Sequence, residues 1–396
     1  MASSRWLSPT LHTAHQGEHE RKVTWLELFY DLVYVAAIIQ LGNTLSNDVS
    51  WGGFLRFVAL FIPIWWSWTG ITFYVNRFVV DDVVHRLLIF TQVGFIAILA
   101  MSTVDAFGAL GQQFILAYVG IRAILIVLYL RAYRHAPAAR PLTRRFIIGF
   151  TIAAAIWLVS AFVPPPARYA LWALAMIADL AVPFASRRFN TLLPPDVHHL
   201  TERYGLFTII VAGEAFVKVI SSAPTAPLTV HQLLLGGLGL ALAGSLWWLY
   251  FDDVAGSPLQ TTSRAPFIWL YSHLPVAVGL TAFGVAIKKV VFLQAGDALP
   301  EKYRLLLGGA LALYLVFCLL IDLVTTRSHH TRPPRTRAAW RLGAAAVIAA
   351  ASLVGSGLSP LLFMAIVAAA CVAPIVVDLI PQSPKDGLSP TPHVSS

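Results

Sequence analysis

The sequence predicts an all-α polytopic membrane protein with about twelve transmembrane helices. Hydrophobic residues make up 58% of the 396 residues and charged residues only 12%, whereas soluble domains carry about 25% charged residues. Mean hydropathy is +0.72. Apolar segments of about 20 residues, the length that crosses a bilayer as a helix, recur along the chain. Composition and segment length together therefore predict a chain that crosses the membrane many times.

Twelve apolar segments follow one another, separated by short stretches with turn residues or charges. The firmest boundary is the run Pro164–Pro166, because consecutive prolines cannot continue a helix. Gly355, Gly357 and Pro360 divide the last two segments. The predicted spans are 24–45, 54–75, 84–105, 112–133, 145–163, 168–185, 203–222, 230–251, 266–290, 303–325, 338–356 and 359–380.

The distribution of positive charge predicts the orientation of these spans. Most of the 28 lysine and arginine residues fall in the N-terminal tail and in alternate loops, which the positive-inside rule places in the cytoplasm. Both termini are therefore predicted to be cytoplasmic. The residues from Lys288 to Arg304 are the exception on the outer side. Since the net charge of +9 lies in these loops, we predict no nucleic-acid partner and expect membrane lipids as neighbours.

Paired residues in the two halves favour an internal duplication. Trp65–Trp66 in the first half corresponds to Trp247–Trp248 in the second half, and Asp81–Asp82 corresponds to Asp252–Asp253. Two parallel six-helix repeats, related by an axis along the membrane normal, would explain this pattern; chance recurrence in a tryptophan-rich chain is the alternative. The predicted organisation is a cytoplasmic N-terminal tail at 1–23, a first six-helix half at 24–185, a cytoplasmic linker at 186–202, a second six-helix half at 203–380 and a disordered cytoplasmic C-terminal tail at 381–396.

The first span contains two carboxylates in an apolar setting. Glu27 and Asp31 are four residues apart, so they lie on one helix face, with Tyr34 three residues further along it. An ionised carboxylate in hydrocarbon is costly, and such residues by default indicate a functional site that faces the bundle interior. In the alternative interpretation, Glu27 lies at the headgroup boundary and stays hydrated, so that only Asp31 is buried.

Further ionisable residues lie within the later spans. Glu214 and Lys218 have the favourable spacing for an ion pair within one helix, and they share a helix face with Arg203. Arg122 needs an acidic partner, for which Asp31, Asp105 and Glu214 are the candidates. His85 and His273 fall in or beside spans. A membrane histidine is more often part of a hydrogen-bonded structure than a proton carrier, although its charge changes near neutral pH.

Several segments together resemble the bacterial low temperature requirement A family. The likeness is carried by Val23–Val35, Trp65–Thr69, Thr72–Phe78, His199–Phe207 continuing to Val211–Glu214, Trp247–Asp252 and His273–Pro275. The resemblance implies a multi-pass protein of the bacterial plasma membrane that is associated with growth at low temperature. It implies no substrate and no mechanism. Family motifs and intramembrane charges coincide at Glu27, Asp31, Glu202, Arg203 and Glu214.

The leading functional hypothesis is a secondary transporter or a protein that conducts protons, small ions or a small solute. We expect Glu27, Asp31, Arg203 and Glu214 to meet at one polar site, because buried charges stabilise one another when they are paired. No enzyme motif such as a phosphate-binding loop or HExxH is present, so neither an enzyme nor a cofactor or metal is predicted. The predicted transport or polar-network residues are Glu27, Asp31, Tyr34, His85, Arg122, Glu202, Arg203, Glu214, Lys218 and His273.

Two alternatives remain open from the sequence. Acidic and histidine residues near the predicted cytoplasmic helix ends could serve a membrane-embedded enzyme that acts on lipid; they are Asp81, Asp82, His85, His199 and Glu202. The arginine-rich segments 131–145 and 327–341 could instead bind anionic headgroups in a sensor or scaffold, or could serve topology alone. The oligomeric state is left open.

Overall fold

The computed structural model describes residues 10–11, 23–79, 82–192, 194–220, 227–252, 257–260, 262, 264–327 and 332–380. These ranges are almost entirely helical, which confirms the all-α prediction. The predicted C-terminal tail and nearly all of the N-terminal tail lie outside the described residues. The helices are α1 (Trp25–Asn47), α2 (Trp51–Arg77), α3 (Val83–Ser102), α4 (Gly111–His135), α5 (Arg140–Ser160), α6 (Ala167–Ala185), α7 (Arg187–Leu192), α8 (Val197–Ile220), α9 (Val230–Phe251), α10 (Ala265–Val291), α11 (Glu301–Leu323), α12 (Pro334–Val354) and α13 (Pro360–Leu379). Thr10–Leu11 pairs antiparallel with Phe78–Val79.

Twelve of these helices are long, and they correspond one to one with the twelve predicted spans. Eleven of them are also apolar enough to cross a membrane by length and composition. The remaining long helix, α8, carries Glu202, Arg203, Glu214 and Lys218 within 24 residues. Helix α8 therefore contributes four of the ten predicted site residues, more than any other helix.

Helix α8 begins at Val197, earlier than the predicted start at residue 203. The Asp196 side chain explains this start, because its Oδ1 accepts a hydrogen bond from the His199 backbone N–H at 3.1 Å, as an N-cap residue does. His199 and Glu202 therefore belong to the helix and not to a linker. At the start of α1, the side chain of Thr24 accepts from the Glu27 N–H while Glu27 accepts from the Thr24 N–H, a capping box.

The helices form two compact units. The first contains α1 to α8 together with His273–Lys289 of α10. In it, α1 packs against α2, α3 and α8, and contacts continue from α3 to α4, α5 and α6. The second contains Pro224–Ser272 and the chain from Val290 onward, where α12 packs between α11 and α13, and α13 contacts α9. The predicted six-plus-six duplication stays a prediction.

Helices α8 and α10 approach closely at Gly284. A Cβ atom added at Gly284 would lie 2.9 Å from Ala215 Cβ and 3.0 Å from Ala215 Cα, so a larger residue must push the two helix backbones apart. Small residues commonly allow such close crossings in membrane bundles. The pair Gly284 and Ala215 therefore fixes the distance between α10 and the helix that carries Arg203.

We predict that Gly284→Ala lowers the thermal unfolding temperature, because overpacking of this kind costs about 1–3 kcal/mol. Thermal unfolding of the purified protein in detergent measures the effect. Gly94→Ala in α3 is the matched control: no described atom lies within 4 Å of its added Cβ, so higher helix propensity should leave stability equal or raised. Equal unfolding temperatures for the two variants would contradict the close crossing.

Candidate functional site

Asp31 and Arg203 form a buried two-point ion pair between α1 and α8. Arg203 donates from Nε to Asp31 Oδ2 at 3.1 Å and from Nη2 to Asp31 Oδ1 at 2.5 Å. The Trp68 indole Nε1–H of α2 donates a third bond to Asp31 Oδ1 at 2.7 Å. The Asp31 and Arg203 side chains are 0% and 1% exposed. Parallel N–H···O bonds of this kind are the strong, directional form of the arginine–carboxylate interaction, so this pair joins three helices.

Glu27 and His199 extend the ion pair toward the N-terminal end of α1. Glu27 Oε1 lies 3.4 Å from Arg203 Nη1, and Glu27 Oε2 lies 3.5 Å from His199 Nε2. Glu27 is 6% exposed and His199 is fully buried. The protein thus encloses Glu27, whereas the alternative interpretation of the sequence left it hydrated. We call Glu27, Asp31, His199 and Arg203 the α1–α8 cluster.

Asn76 of α2 orients the His199 ring. The Asn76 amide makes two bonds to the Asp196 backbone, accepting from N–H at 2.9 Å and donating to C=O at 2.8 Å, which fixes its oxygen and nitrogen. The same Nδ2 lies 3.3 Å from His199 Nδ1, so Nδ1 accepts a hydrogen bond. In the neutral ring this leaves the proton on Nε2, which faces Glu27. Such an outer partner sets which ring nitrogen can donate.

Tyr34 belongs to a neighbouring polar network. Its hydroxyl donates to Ser67 Oγ at 2.9 Å and lies 3.3 Å from the Tyr30 hydroxyl. Tyr30 donates to Gln92 Oε1 at 2.7 Å. Ser67 and Gln92 then donate to the backbone carbonyls of Ile64 and Ile121. Because the network ends on carbonyl acceptors in α2 and α4, its hydrogen bonds hold α1, α2, α3 and α4 together.

Glu214 and Lys218 form a separate ion pair on α8. Their charged atoms are 3.0 Å apart and both side chains are almost completely buried. Glu214 lies about three turns, or about 16 Å, along the same helix from Arg203, so the prediction that it shares one site with Glu27 and Asp31 is wrong. A Cβ atom at Gly42 of α1 would overlap Lys218 Nζ, so this ammonium rests against the α1 backbone.

Arg122 pairs with Asp179, a residue that the sequence analysis did not single out. Arg122 Nη2 lies 2.7 Å from Asp179 Oδ2, with both side chains 0% exposed. The Tyr118 hydroxyl donates to Asp179 at 2.6 Å and accepts from Arg122 at 2.7 Å. Asp31, Asp105 and Glu214 were therefore the wrong candidates. The available signal was of the same kind as for Asp31, a carboxylate within an apolar span.

The remaining predicted residues lie around these clusters. The His273 ring packs edge-on against Tyr204 at 4.8 Å, and Tyr204 packs in the same way on Trp68, so His273 is two rings away from Asp31. The His85 ring stacks on Tyr74. Near the start of α3, the His85 backbone N–H donates to the side chain of Asp82, the N-cap residue of this helix. Glu202 is half-buried.

The described residues offer no group of three or more His, Cys, Asp or Glu side chains that could hold a metal ion. In the set proposed for a lipid enzyme, His199 faces Glu27, whereas Asp82 caps α3 and pairs with Arg131 at 2.8 Å. Asp81 lies outside the described residues. The geometry of the described residues thus gives no support to that alternative.

The fold and the α1–α8 cluster define a multi-pass helical membrane protein with a buried charged site. The sequence model of the bacterial low temperature requirement A protein (LtrA) family matches residues 22–376, so the chain belongs to this family. It is also similar to RA0937, an uncharacterized protein of Rhizobium meliloti (strain 1021), with 30% identity over 292 residues, which cover 68% of this chain and 70% of that relative. All four residues of the α1–α8 cluster lie within the range that the family matches.

Proposed function

We propose that this protein is a secondary transporter or ion-conducting protein of the bacterial plasma membrane, and that the α1–α8 cluster binds the proton, small ion or small solute that it moves. The observation that carries the proposal is the enclosure of four ionisable side chains between two membrane helices. Charged residues at such positions are costly and commonly mark ion or substrate pathways.

The side chains of the α1–α8 cluster form a group whose total charge can change. Asp31 and Arg203 compensate each other through two hydrogen bonds. Glu27 adds a second carboxylate beside the same guanidinium, and His199 adds an imidazole ring, a group that exists in a neutral and a protonated form. The formal charges of these four side chains sum to −1 with a neutral histidine and to zero with a protonated one. The cluster can therefore exist in two charge states without breaking the Asp31–Arg203 pair.

The orientation is part of the proposal. With both termini in the cytoplasm, as the positive-inside rule favours, the N-terminal end of α1 and the start of α8 lie at the cytoplasmic side. The α1–α8 cluster would then lie nearer the cytoplasmic side, and the ion pair of Glu214 and Lys218 would lie deeper along α8.

Flux measurements in liposomes test the proposal. Purified protein is reconstituted with an entrapped pH-sensitive dye, and proton movement is followed across a panel of salts and solutes. Glu27→Gln keeps the side-chain size and an acceptor for the Thr24 N–H, so we expect this variant to fold. Its flux should be at least about tenfold lower, because the variant lacks an essential proton-transfer group.

Asp48→Asn is the matched control, because Asp48 forms an exposed ion pair with Arg56 between α1 and α2. Its flux should equal that of the unmodified protein. Absence of flux across the whole panel, or equal flux for Glu27→Gln and Asp48→Asn, would count against the proposed function.

A further inference from the structure

Helices α4 to α7 carry a large excess of positive charge. Residues 111–192, which contain all four helices, include nine arginines and a single acidic residue, Asp179. The Asp179 carboxylate is completely buried and is paired with Arg122. This stretch of the sequence therefore offers no acidic partner to the arginines at the ends of its helices.

Three exposed arginines lie where α4 ends and α5 begins. Arg134 is in the last turn of α4, and Arg140 and Arg144 are in the first two turns of α5. The Arg140 side chain reaches back to α4, because its Nε–H donates to the Tyr133 carbonyl at 3.2 Å and its guanidinium lies 5.7 Å from the centre of the Tyr133 ring. Within the described part of the chain, none of the three arginines pairs with an acidic side chain. We call Arg134, Arg140 and Arg144 the α4–α5 arginine patch.

The other arginine-rich segment, 327–341, differs from this patch. Three of its arginines have side chains that are at most 10% exposed and lie around one buried carboxylate; they are Arg327, Arg337 and Arg341 around Asp322. Their guanidinium groups have an acidic partner inside the protein, whereas the α4–α5 arginine patch faces outward. Of the two segments that the sequence offered for binding anionic headgroups, the structure therefore favours 131–145.

Exposed aliphatic side chains follow the arginines along both helices. On α5, Ile148 and Ile152 follow Arg144 at steps of four residues, so they lie on the same helix face, and they are 47% and 53% exposed. On α4, the exposed Leu130 lies one turn before Arg134. Arginines at the helix ends, with aliphatic side chains one turn deeper on the same faces, match the headgroup and the acyl chains of a phospholipid.

We propose that the α4–α5 arginine patch binds the phosphate of an anionic phospholipid in the cytoplasmic leaflet. Arginine binds phosphate through two parallel N–H···O bonds, and basic residues directly beside a membrane helix attract anionic headgroups. The aliphatic flank favours a lipid over free phosphate, because it adds contacts with the acyl chains. The choice of leaflet follows the proposed orientation. The lipid site itself is independent of the proposed transport function, because it uses none of the residues of the α1–α8 cluster.

Native mass spectrometry of the full-length protein in detergent tests this site, with equimolar phosphatidylglycerol and phosphatidylcholine. We expect the unmodified protein to retain phosphatidylglycerol preferentially. Arg144→Gln should lower this preference about fivefold, since one arginine near an anionic surface contributes about that factor. The triple variant Arg134→Gln/Arg140→Gln/Arg144→Gln should remove the preference. Because all three side chains are exposed, both variants should unfold at the temperature of the unmodified protein.

Arg56→Gln is the matched control, because it changes the net charge by the same amount as Arg144→Gln and Arg56 is an exposed arginine that is paired with Asp48. It should leave the preference for phosphatidylglycerol unchanged. Equal retention of the two lipids by the unmodified protein, or an equal loss from Arg56→Gln and Arg144→Gln, would overturn the proposal in favour of unspecific charge attraction. Displacement of phosphatidylglycerol by millimolar inorganic phosphate would overturn the lipid assignment in favour of a free-anion site.

Discussion

Replacement of Asp31 by asparagine should lower the free energy of unfolding by about 3–5 kcal/mol, the cost of leaving one member of a buried ion pair without its partner. The asparagine oxygen can still accept from Arg203, but the guanidinium would lose the carboxylate charge that it contacts through two hydrogen bonds. Among the described residues, Glu27 at 3.4 Å would be its remaining acidic neighbour. Arg203→Gln should cost a similar amount, since it leaves two carboxylates close together in the protein interior.

The double variant Asp31→Asn/Arg203→Gln should lose less stability than the sum of the losses in the two single variants. The two neutral amides can bond to each other, and Glu27 keeps His199 as its neighbour at 3.5 Å, so the penalties do not add. Thermal unfolding in detergent measures all three variants. The exposed pair Asp48 and Arg56 provides the comparison cycle, in which each replacement should change stability by no more than about 1 kcal/mol. Additive penalties for Asp31 and Arg203 would show that the two side chains do not interact.

Asp179→Asn should be comparably destabilising, again by about 3–5 kcal/mol. Arg122 and Asp179 are completely buried, and the Tyr118 hydroxyl lies between them as donor to the carboxylate and acceptor from the guanidinium. Loss of the carboxylate charge leaves Arg122 over the rings of Tyr118 and Phe150, and because these cation–π contacts are already present in the unmodified protein, they do not replace the lost ion pair.

The Tyr118→Phe variant measures how much the Tyr118 hydroxyl contributes to stability, separately from the Arg122–Asp179 ion pair. It removes hydrogen bonds to two charged partners and should cost about 1.5–3 kcal/mol, less than Asp179→Asn. Tyr133→Phe is the control, since Tyr133 is exposed near the end of the same helix and should be neutral. If Asp179→Asn unfolds at the temperature of the unmodified protein, the ion pair does not stabilise the bundle.

The fold followed from the sequence because each membrane span is a local property. About 20 apolar residues in a row predict a helix without reference to any other part of the chain, and the twelve long helices match the twelve apolar segments. The spacing of Glu27 and Asp31 likewise placed both on one face of α1. The start of α8 was missed because His199 and Glu202 make its first turns polar, although Asp196 caps them.

The partners that charged side chains find on other helices could not be predicted in the same way. Arg203 lies 172 residues from Asp31, and no periodicity within one helix shows which other helix it contacts. Arg122 had three candidate partners by charge alone, and packing of α4 and α6 against α5 selected Asp179. Trp68 and Asn76 were missed as site residues because their roles depend on α2 lying beside α1 and α8, which is a property of the assembled helices.

The most direct measurement of the central claim is the ion flux of Asp31→Asn/Arg203→Gln in liposomes, at matched amounts of folded protein. Because this variant should retain the fold while losing the charges of Asp31 and Arg203, it separates a structural role of the pair from a functional one. The α1–α8 cluster as the transport site predicts that flux disappears while Asp48→Asn/Arg56→Gln keeps the full flux of the unmodified protein. Full flux from a folded Asp31→Asn/Arg203→Gln protein would contradict that claim.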